Sequence, residues 1–578
     1  MTLSPDPLKA IHTQVMWNRL IAVVEEQAQA LLRTAFGAIT REAGDLSAGV
    51  YDERGRMLAQ AVTGTPGHVN SMATAVSHFL DRFPVSTMRP GDVFITNDPW
   101  LGTGHLFDYV VVTPVFLERE LVGLFASTCH TLDVGGIGFS ADARSVFEEG
   151  TRIPHLRLAS EAGLNEDLLA IVCANSRNPV ESRGDLLSLL SCNEVGVRRL
   201  LGMMDEFGLR SMAPLADHIL TQSRAATRAA IARLPRGRWQ ASMRIDGYDE
   251  AIDLNASLEI QDDRIIVDFA GSSPASSRGI NSPKCYTDAY SVFGLKCVVA
   301  PDVPNNAGSL EPFVILATPG SIVDPRPPAP VTARHVVGQM LPDLMFGCLE
   351  AAVHGRVPAE SAGSIWVMPM SRSASLGRDR GDAANASTAA PFNVMSVGLG
   401  GTGARAAKDG LSTTAFPSGV GAIPVEVTES QAPIIFHEKE FLVDSGGAGK
   451  RRGGLAQRIV VGASDGAPFV CAAGTFDRRR NPARGRGGGH DGATGSVQIE
   501  SVAGDAQSRT RFDGKGEILV PAGGRMIIEL PGGGGFGDPR DRTPADVRAD
   551  LDQGLISEAA ARDIYGSAGS PAVSEELT

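Results

Sequence analysis

The spacing of apolar residues along this chain changes several times, and each change marks a new element. Behind Asp6-Pro7, a helix-opening pair, Ile11, Val15, Leu20, Val24, Ala28 and Leu31 recur at helical spacing. They predict an amphipathic helix of about 25 residues. Ala48-Gly49-Val50-Tyr51 and Met57-Leu58-Ala59-Gln60 flank the turn Asp52-Glu53-Arg54-Gly55 as a short hairpin. A helix follows near Ser71 to Phe83, then a strand from Gly91 to Thr96. Two β-prone runs come next, Tyr109 to Phe116 and Leu121 to Thr128, with the charged Glu118-Arg119-Glu120 as the turn of a second hairpin.

Beyond Glu166 the pattern is helical as far as Leu234, and Pro235-Arg236-Gly237 ends that block. Gln240 to Leu258 and Arg264 to Phe269 read as an antiparallel pair joined at Gln261-Asp262-Asp263. Helices around Tyr286 to Val299 and Val336 to His354 bracket a proline-rich connection, Pro325 to Pro330. Residues 370 to 415 are rich in Ser, Ala, Gly and charge and predict long loops; short strands broken by Gly, Asp and Pro continue to about Leu530. The run Gly532 to Gly537 then leads to a tail with helix starts at Thr543-Pro544 and Ser557, and disorder is expected from Gly566 onward.

The resulting fold class is α+β and multi-domain: an N-terminal mixed α/β metal-binding unit, a helical middle and a β-rich C-terminal lobe. The expected divisions are 1–165, 166–235, 236–369, 370–530 and 531–578. A length of 578 residues is too great for one core. Apolar content of 43% with 21% charge describes a globular protein. The net charge of −13 argues against a nucleic-acid binder, which needs a basic face. Arg478-Arg479-Arg480 is too short to reverse that and reads as a solvated loop. The seven scattered cysteines form no C-x-x-C pair, which fits reduced thiols. Cys129 is expected to be a packed strand thiol. No apolar run spans a membrane and no signal core opens the chain, so no membrane association and a cytoplasmic location are expected.

Candidate chemistry concentrates at the ends of the second hairpin. His105-Leu106-Phe107-Asp108 and His130-Thr131-Leu132-Asp133 are paired His-x-x-Asp tetrads. A fold-back centred on Glu118-Arg119-Glu120 puts Asp108 nearly opposite Cys129, so both tetrads meet at the open end of the ladder. Imidazoles and carboxylates gathered there can coordinate a divalent metal. Asn97-Asp98-Pro99 lies just upstream, and Asp98 is a candidate base or orienter of a ligand imidazole. Glu42 and Asp45 read as cap or turn residues; His68 either caps the helix that comes after it or lines a pocket. Gly398-Leu399-Gly400-Gly401-Thr402-Gly403 matches a dinucleotide fingerprint in form but lacks the βαβ context. Gly532 to Gly537 reads as a flexible turn rather than an anion cradle.

Taken together, several motifs resemble the hydantoinase B/oxoprolinase family. They are Arg33-Thr34-Ala35, Asp45-Leu46-Ser47, Gly67-His68, Asn97-Asp98-Pro99, Gly104 to Asp108, His130 to Gly136, Arg183-Gly184-Asp185-Leu186, Asp444 to Gly454 and Gly532 to Pro539. The resemblance implies a hetero-oligomer with a larger A-type partner subunit, which uses ATP to phosphorylate a cyclic amide or ketone. It also implies a manganese-type metal held by His105, Asp108 and His130, the choice among Mn, Fe and Zn being open; beside these ligands, Asp98, Asp133 and His68 are the candidate catalytic residues. Trp100 and Phe107 depart from the commoner family wording. The leading expectation is a metal-dependent subunit of an ATP-dependent amidohydrolase acting on a hydantoin, 5-oxoproline or related lactam, the metal activating water for attack. The alternatives are a ketone carboxylase subunit, acetone or acetophenone carboxylase-like, and a non-catalytic scaffold.

Overall fold

The computed structural model describes residues 7–363, 365–373, 389–503 and 506–566. Part of the expected 370–415 loop region and nearly all of the expected disordered tail lie outside them. Among the described residues twenty strands form four sheets. The first contains β1 (Leu46–Tyr51), β2 (Met57–Gln60), β3 (Val93–Thr96), β4 (Asp108–Leu117), β5 (Glu120–His130), β6 (Leu156–Ser160) and β7 (Gly163–Leu164), in the order β2-β1-β5-β4-β3-β6-β7. Every neighbouring pair in it is antiparallel.

Both faces of this sheet are covered, which is why β4 and β5 read as continuous apolar runs rather than as alternation. The helices Pro7–Thr34 and Pro179–Glu206 pack on one face. There Leu20, Val24, Val50, Phe125 and Leu200 share a core. The helix Pro66–Arg82 covers the other, where Val110, Val112, Leu124 and Ala126 meet Met72, Val76 and Phe79. This helix begins well before the Ser71 expected from sequence, so His68 falls inside its first turn instead of capping it. Between sheet and helix, the Gln27 side chain donates to the Ala126 carbonyl and to Asn193 Oδ1, while the Asn193 amide donates to the Val111 carbonyl.

The second sheet, order β11-β10-β9-β8, has β8 (Gly237–Ile245), β9 (Ile252–Ile260), β10 (Ile265–Asp268) and β11 (Phe313–Leu316). The expected antiparallel pair across Gln261-Asp262-Asp263 is β9 with β10. Helices Lys284–Val299 and Leu341–Leu349 share one core with it. Within the second helix the Asp343 carboxyl is pushed up to about 7 by burial and by nearby Glu360. The folded state therefore favours its protonated form; that stability is complete below the ordinary carboxylate range and is lost as pH rises through about 7. Asp343→Asn is expected to raise the melting temperature at pH 8 and to leave it nearly unchanged at pH 4, as read by thermal melts.

The remaining strands are β12 (Trp366–Arg372), β13 (Phe392–Gly398), β14 (Ile434–Phe441), β15 (Gln457–Ala463), β16 (Phe469–Ala472), β17 (Ser496–Ala503), β18 (Ala506–Arg511), β19 (Glu517–Val520) and β20 (Arg525–Glu529). They form the sheets β13-β12-β16-β19 and β14-β15-β20-β17-β18. Trp366, Met368, Ile459, Phe469 and Ile528 belong to one core shared by both.

Beside them the glycine-rich runs do something unexpected. Segments near 400–404, 445–454, 483–493 and 531–537 hydrogen-bond to one another through backbone alone. Gly533 N donates to the Gly454 carbonyl, Gly447 N to the Gly533 carbonyl, and Gly535 N to the His490 carbonyl. The sequence Gly532 to Gly537 is thus a structural rod in a packed bundle, correcting its reading as a flexible turn. Gly398 ends β13 and the chain runs directly into the same bundle, which accounts for the dinucleotide-like spacing without a nucleotide. No helix among the described residues is long and apolar enough to cross a membrane. The tail helices Pro544–Asp552 and Glu558–Asp563 begin at the expected caps, Thr543 and Ser557.

Candidate active site

The β4–β5 hairpin closes with Leu117 opposite Glu120, and a bulge between Val115 and Phe116 then shifts the register by one residue. Without it Asp108 would face Cys129, as the symmetric fold-back predicts. With it Asp108 pairs with His130, and Cys129 faces Tyr109. A bulge adds one residue to one strand and re-aims the side chains beyond it. Cys129 is fully buried in the apolar core, in keeping with a packing thiol.

Asp108 is the hub. Its Oδ2 accepts from Thr103 Oγ1 at 2.8 Å and from Arg334 Nη2 at 2.6 Å, and His68 Nε2 stands 3.0 Å away. Its Oδ1 lies 2.8 Å from His105 Nε2. Burial opposes the Asp108 charge, but His105, His68 and Arg334 together hold its carboxyl well below the ordinary range. His68 is set between two carboxylates, with Asp45 Oδ1 3.4 Å from its Nδ1. Burial works against the imidazolium there, yet Asp108 and Asp45 keep the His68 pKa raised. His105 and His130 are pushed the other way by burial, His105 down to about 4 with the Arg334 cation helping.

Asp45, His68, His105, His130 and Arg334 line one cavity of about 30 Å³, space for a water molecule or an ion but not for a ring, and Asp108 touches it through His68, His105 and Arg334. Ile39, Phe139, Val367 and Met395 make its apolar wall. His335, whose pKa falls to about 3 through burial and Arg334, also lines it. Its polar atoms are poorly satisfied. His105 Nε2, Asp108 Oδ1, His130 Nδ1, His335 Nε2 and Ser418 Oγ are all buried without a hydrogen-bond partner.

The orientation of the His105 ring gives these orphaned atoms a meaning. Its Nδ1 lies 2.9 Å from the Thr332 carbonyl, which can only accept, so the proton of the neutral imidazole sits on Nδ1. Nε2 then presents a lone pair to a carboxylate oxygen 2.8 Å away. Two acceptors held at that distance repel each other unless a cation, a proton or a metal ion, joins them. Two donor atoms so spaced can each reach one ion at about 2.1 Å. The His130 ring centre is 5.2 Å from that of His105, and imidazoles sharing one ion at such bond lengths have centres roughly 4.5–6 Å apart. Among the described residues no group of three or more His, Cys, Asp or Glu side chains is arranged so that it could hold a metal ion. His105 and Asp108 supply a facing pair of donor atoms, with the His130 imidazole beside them.

The structure does not bring Asp98 or Asp133 into this chamber. Asp98 Oδ1 accepts from the Trp100 and Leu101 amides, and its Oδ2 takes the Arg152 guanidinium. Asp133 accepts from Gly135 N and Arg177, closing the loop after His130. Each carboxylate is spent on shaping the turn that holds its neighbouring histidine. Trp100 donates to the Pro325 carbonyl, and Phe107 stacks near His130 with ring centres 5.8 Å apart. Asp45, read from sequence as a turn residue, joins the site instead, whereas Glu42 pairs with Arg41 at the surface.

Arg334, His335, Tyr286 and Glu149 escaped sequence reasoning. Arg334 donates to the Thr103 carbonyl and lies 4.0 Å over the Tyr286 ring. Gly104, with φ +104, leaves the space: a Cβ there would meet Arg334 Cδ at 2.6 Å. Glu149 accepts from the Val331 and Thr332 amides and so fixes the carbonyl that orients His105; burial pushes its pKa up to about 7. Arg334 is 226 residues from Asp108, and the available signal was a charged pair, Arg334-His335, embedded in apolar sequence.

Fold and site together define a multi-domain α+β protein with a buried imidazole–carboxylate chamber at a hairpin end. Residues 9–539 match the family described as Hydantoinase B/oxoprolinase. The chain belongs to that family. It is 26% identical to a Pseudomonas protein assigned as the B-type component of a D-/L-hydantoinase, covering 96% of this chain and 94% of that one. It is 27% identical to the beta component of the Pseudomonas jessenii caprolactamase, covering 96% and 95%. The 5-oxoprolinase of Saccharomyces cerevisiae is 26% identical over 91% of this chain but only 41% of its own length. The crystal structure of the ATP-dependent caprolactamase from Pseudomonas jessenii shares the fold, with a TM-score of 0.85, 24% identity and coverage of 99% of this chain and 97% of that one.

Proposed function

We propose that this chain is the hydrolytic, B-type subunit of an ATP-dependent enzyme that opens a cyclic amide, a hydantoin, 5-oxoproline or a related lactam. A ring amide is resonance-stabilised, and phosphorylation of its oxygen on an A-type partner subunit removes that resonance. One water can then add to the carbon and expel the ring nitrogen as an amine, and a second can release phosphate from the acyl phosphate that remains. The hydrolase names of the relatives support the reaction class. The yeast 5-oxoprolinase extends far beyond the matched segment, which supports a second polypeptide working with this one. The observation that carries the reading is the close approach of His105 Nε2 and Asp108 Oδ1, both buried beside a small chamber.

His105, Asp108 and His130 are the residues that would hold a divalent metal. With no thiol in the set, Mn, Fe and Zn all suit it. Bound there, such an ion supplies Lewis acidity and water activation near neutral pH. The rest of the chemistry belongs to the chain. Arg334 and Thr103 fix the Asp108 carboxylate, and the Thr332 carbonyl fixes the His105 tautomer. His68 holds a proton between Asp45 and Asp108 and can return it to the departing nitrogen. Ile39, Phe139 and Met395 keep bulk water out. Asp98 and Asp133 act as positioning residues.

Metal analysis of the purified complex tests this. The wild-type chain is expected to carry about one divalent ion, and His105→Ala/His130→Ala none, with ATP-dependent ring opening reduced at least about 100-fold. Equal metal content in the two proteins would overturn the proposal; full activity in the double variant would leave only a scaffold.

A further inference from the structure

The chamber has room for a water molecule or an ion, so the body of a substrate must be held beside it while its reacting carbon meets the chamber's edge. A cleft of about 460 Å³ lies on the far side of the Pro66 helix start, bounded by the helix Lys284–Val299. Ser418 lines the cleft and the chamber alike. Its side chain is 2% exposed, and its hydroxyl has no partner. Thr65 faces the chamber while the adjoining Pro66 faces the cleft. The two spaces thus share a wall made of Ser418 and the start of the His68 helix.

The chemistry of the cleft is distinctive. Val62, Val69 and Phe293 give it an apolar side, and Asn70 and Asn305 give it carboxamides. Lys296 supplies a cation, and among the described residues no carboxylate lines the cleft. Among the described residues Lys296 has no ion-pair partner; its Nζ donates to the Val303 carbonyl. Burial pushes the Lys296 pKa down to about 8, as for an amine short of counter-charge. The start of the helix Pro66–Arg82 borders the cleft with Pro66, which has no N–H, and the His68 and Val69 amides already donate to the Thr65 carbonyl, so the helix end adds no donor there. A partly buried cation and an unpartnered hydroxyl on one apolar cleft ask for an organic anion.

We propose that this cleft is a second binding site, an antechamber for a small ring or chain bearing one phosphoryl or carboxylate group, with Lys296 as its counter-ion and Ser418 at the passage to the histidines. The proposal rests on reading the chamber as the hydrolytic site, but its test does not. Phenylphosphonate, standing for the incoming phosphorylated ring, and benzoate, standing for the outgoing acid, would be titrated calorimetrically into the complex.

At least one probe is expected to bind the wild type and His105→Ala equally. Lys296→Met is expected to weaken it 10-fold or more, and Lys296→Arg by less than 3-fold. In turnover, Lys296→Met is expected to raise KM about 10-fold with kcat and metal content unchanged. Preference for phenylphosphonate identifies an entry site, preference for benzoate an exit site. If Lys296→Met folds poorly, protection of wild-type Lys296 from acetylation by the bound probe replaces it. Probe binding indifferent to Lys296→Met, absent, or lost in His105→Ala would overturn the antechamber, whatever the metal content shows.

Discussion

Arg334→Met is expected to destabilise the protein by about 3 kcal/mol or more, because it leaves the Asp108 carboxylate buried and short of a hydrogen-bonded counter-charge. Arg334 is 2% exposed and Asp108 fully buried. The guanidinium does two jobs, donating to Asp108 Oδ2 and to the Thr103 carbonyl. Lysine offers a single point charge and cannot reproduce that fork, so Arg334→Lys is expected to recover less than half of the loss. The loss should appear as a lower midpoint in denaturant melts with an unchanged slope. The double variant Arg334→Met/Asp108→Asn removes the uncompensated charge and is expected to be more stable than Arg334→Met alone. If the two melt alike, the charge pair is not what Arg334 contributes.

The second large effect lies far from the chamber. Gly533→Ala would place its Cβ 2.0 Å from the Thr402 carbonyl oxygen, a backbone atom in a neighbouring segment. Nothing flexible can yield there. Gly533 is tied on both sides, its amide to the Gly454 carbonyl and its carbonyl to the Gly447 amide. Separating these segments breaks backbone hydrogen bonds in the middle of the bundle, and a loss of about 3 kcal/mol or more is expected. For a lobe of this size that is a fall of roughly 6–12 °C in melting temperature. Gly202 is the control: it sits in the helix Pro179–Glu206 with nothing within 4 Å of an added Cβ. Gly202→Ala is expected to be neutral or stabilising by up to about 1 kcal/mol. A bundle variant that melts like the wild type would mean that the segments are loosely packed.

These two expectations also mark where reading the chain succeeded and where it stopped. Periodicity located the long first helix, both N-terminal hairpins, the β9–β10 pair and the capped tail helices, because each is dictated by neighbours in sequence. The tetrads likewise announced His105, Asp108 and His130 as one group, since a hairpin brings its own ends together. The pairing within that group went beyond such a reading. The bulge between Val115 and Phe116 exchanges His130 for Cys129 opposite Asp108. A one-residue insertion of this kind arises from how both strands pack, which hydrophobic pattern alone does not specify.

Nearby carboxylates misled for a related reason: Asp98 and Asp133 have the right composition and spacing, but Arg152 and Arg177 claim them from outside the tetrads. The chain by itself determined its elements, its kinship and the cluster of chemistry at one hairpin end. Only the tertiary structure decided that Asp45, His68, Arg334 and His335 complete the chamber, and that runs of glycine form a rigid bundle. Charge burial and close backbone approach are contacts between segments far apart in sequence, and such contacts come into existence only when the chain is folded.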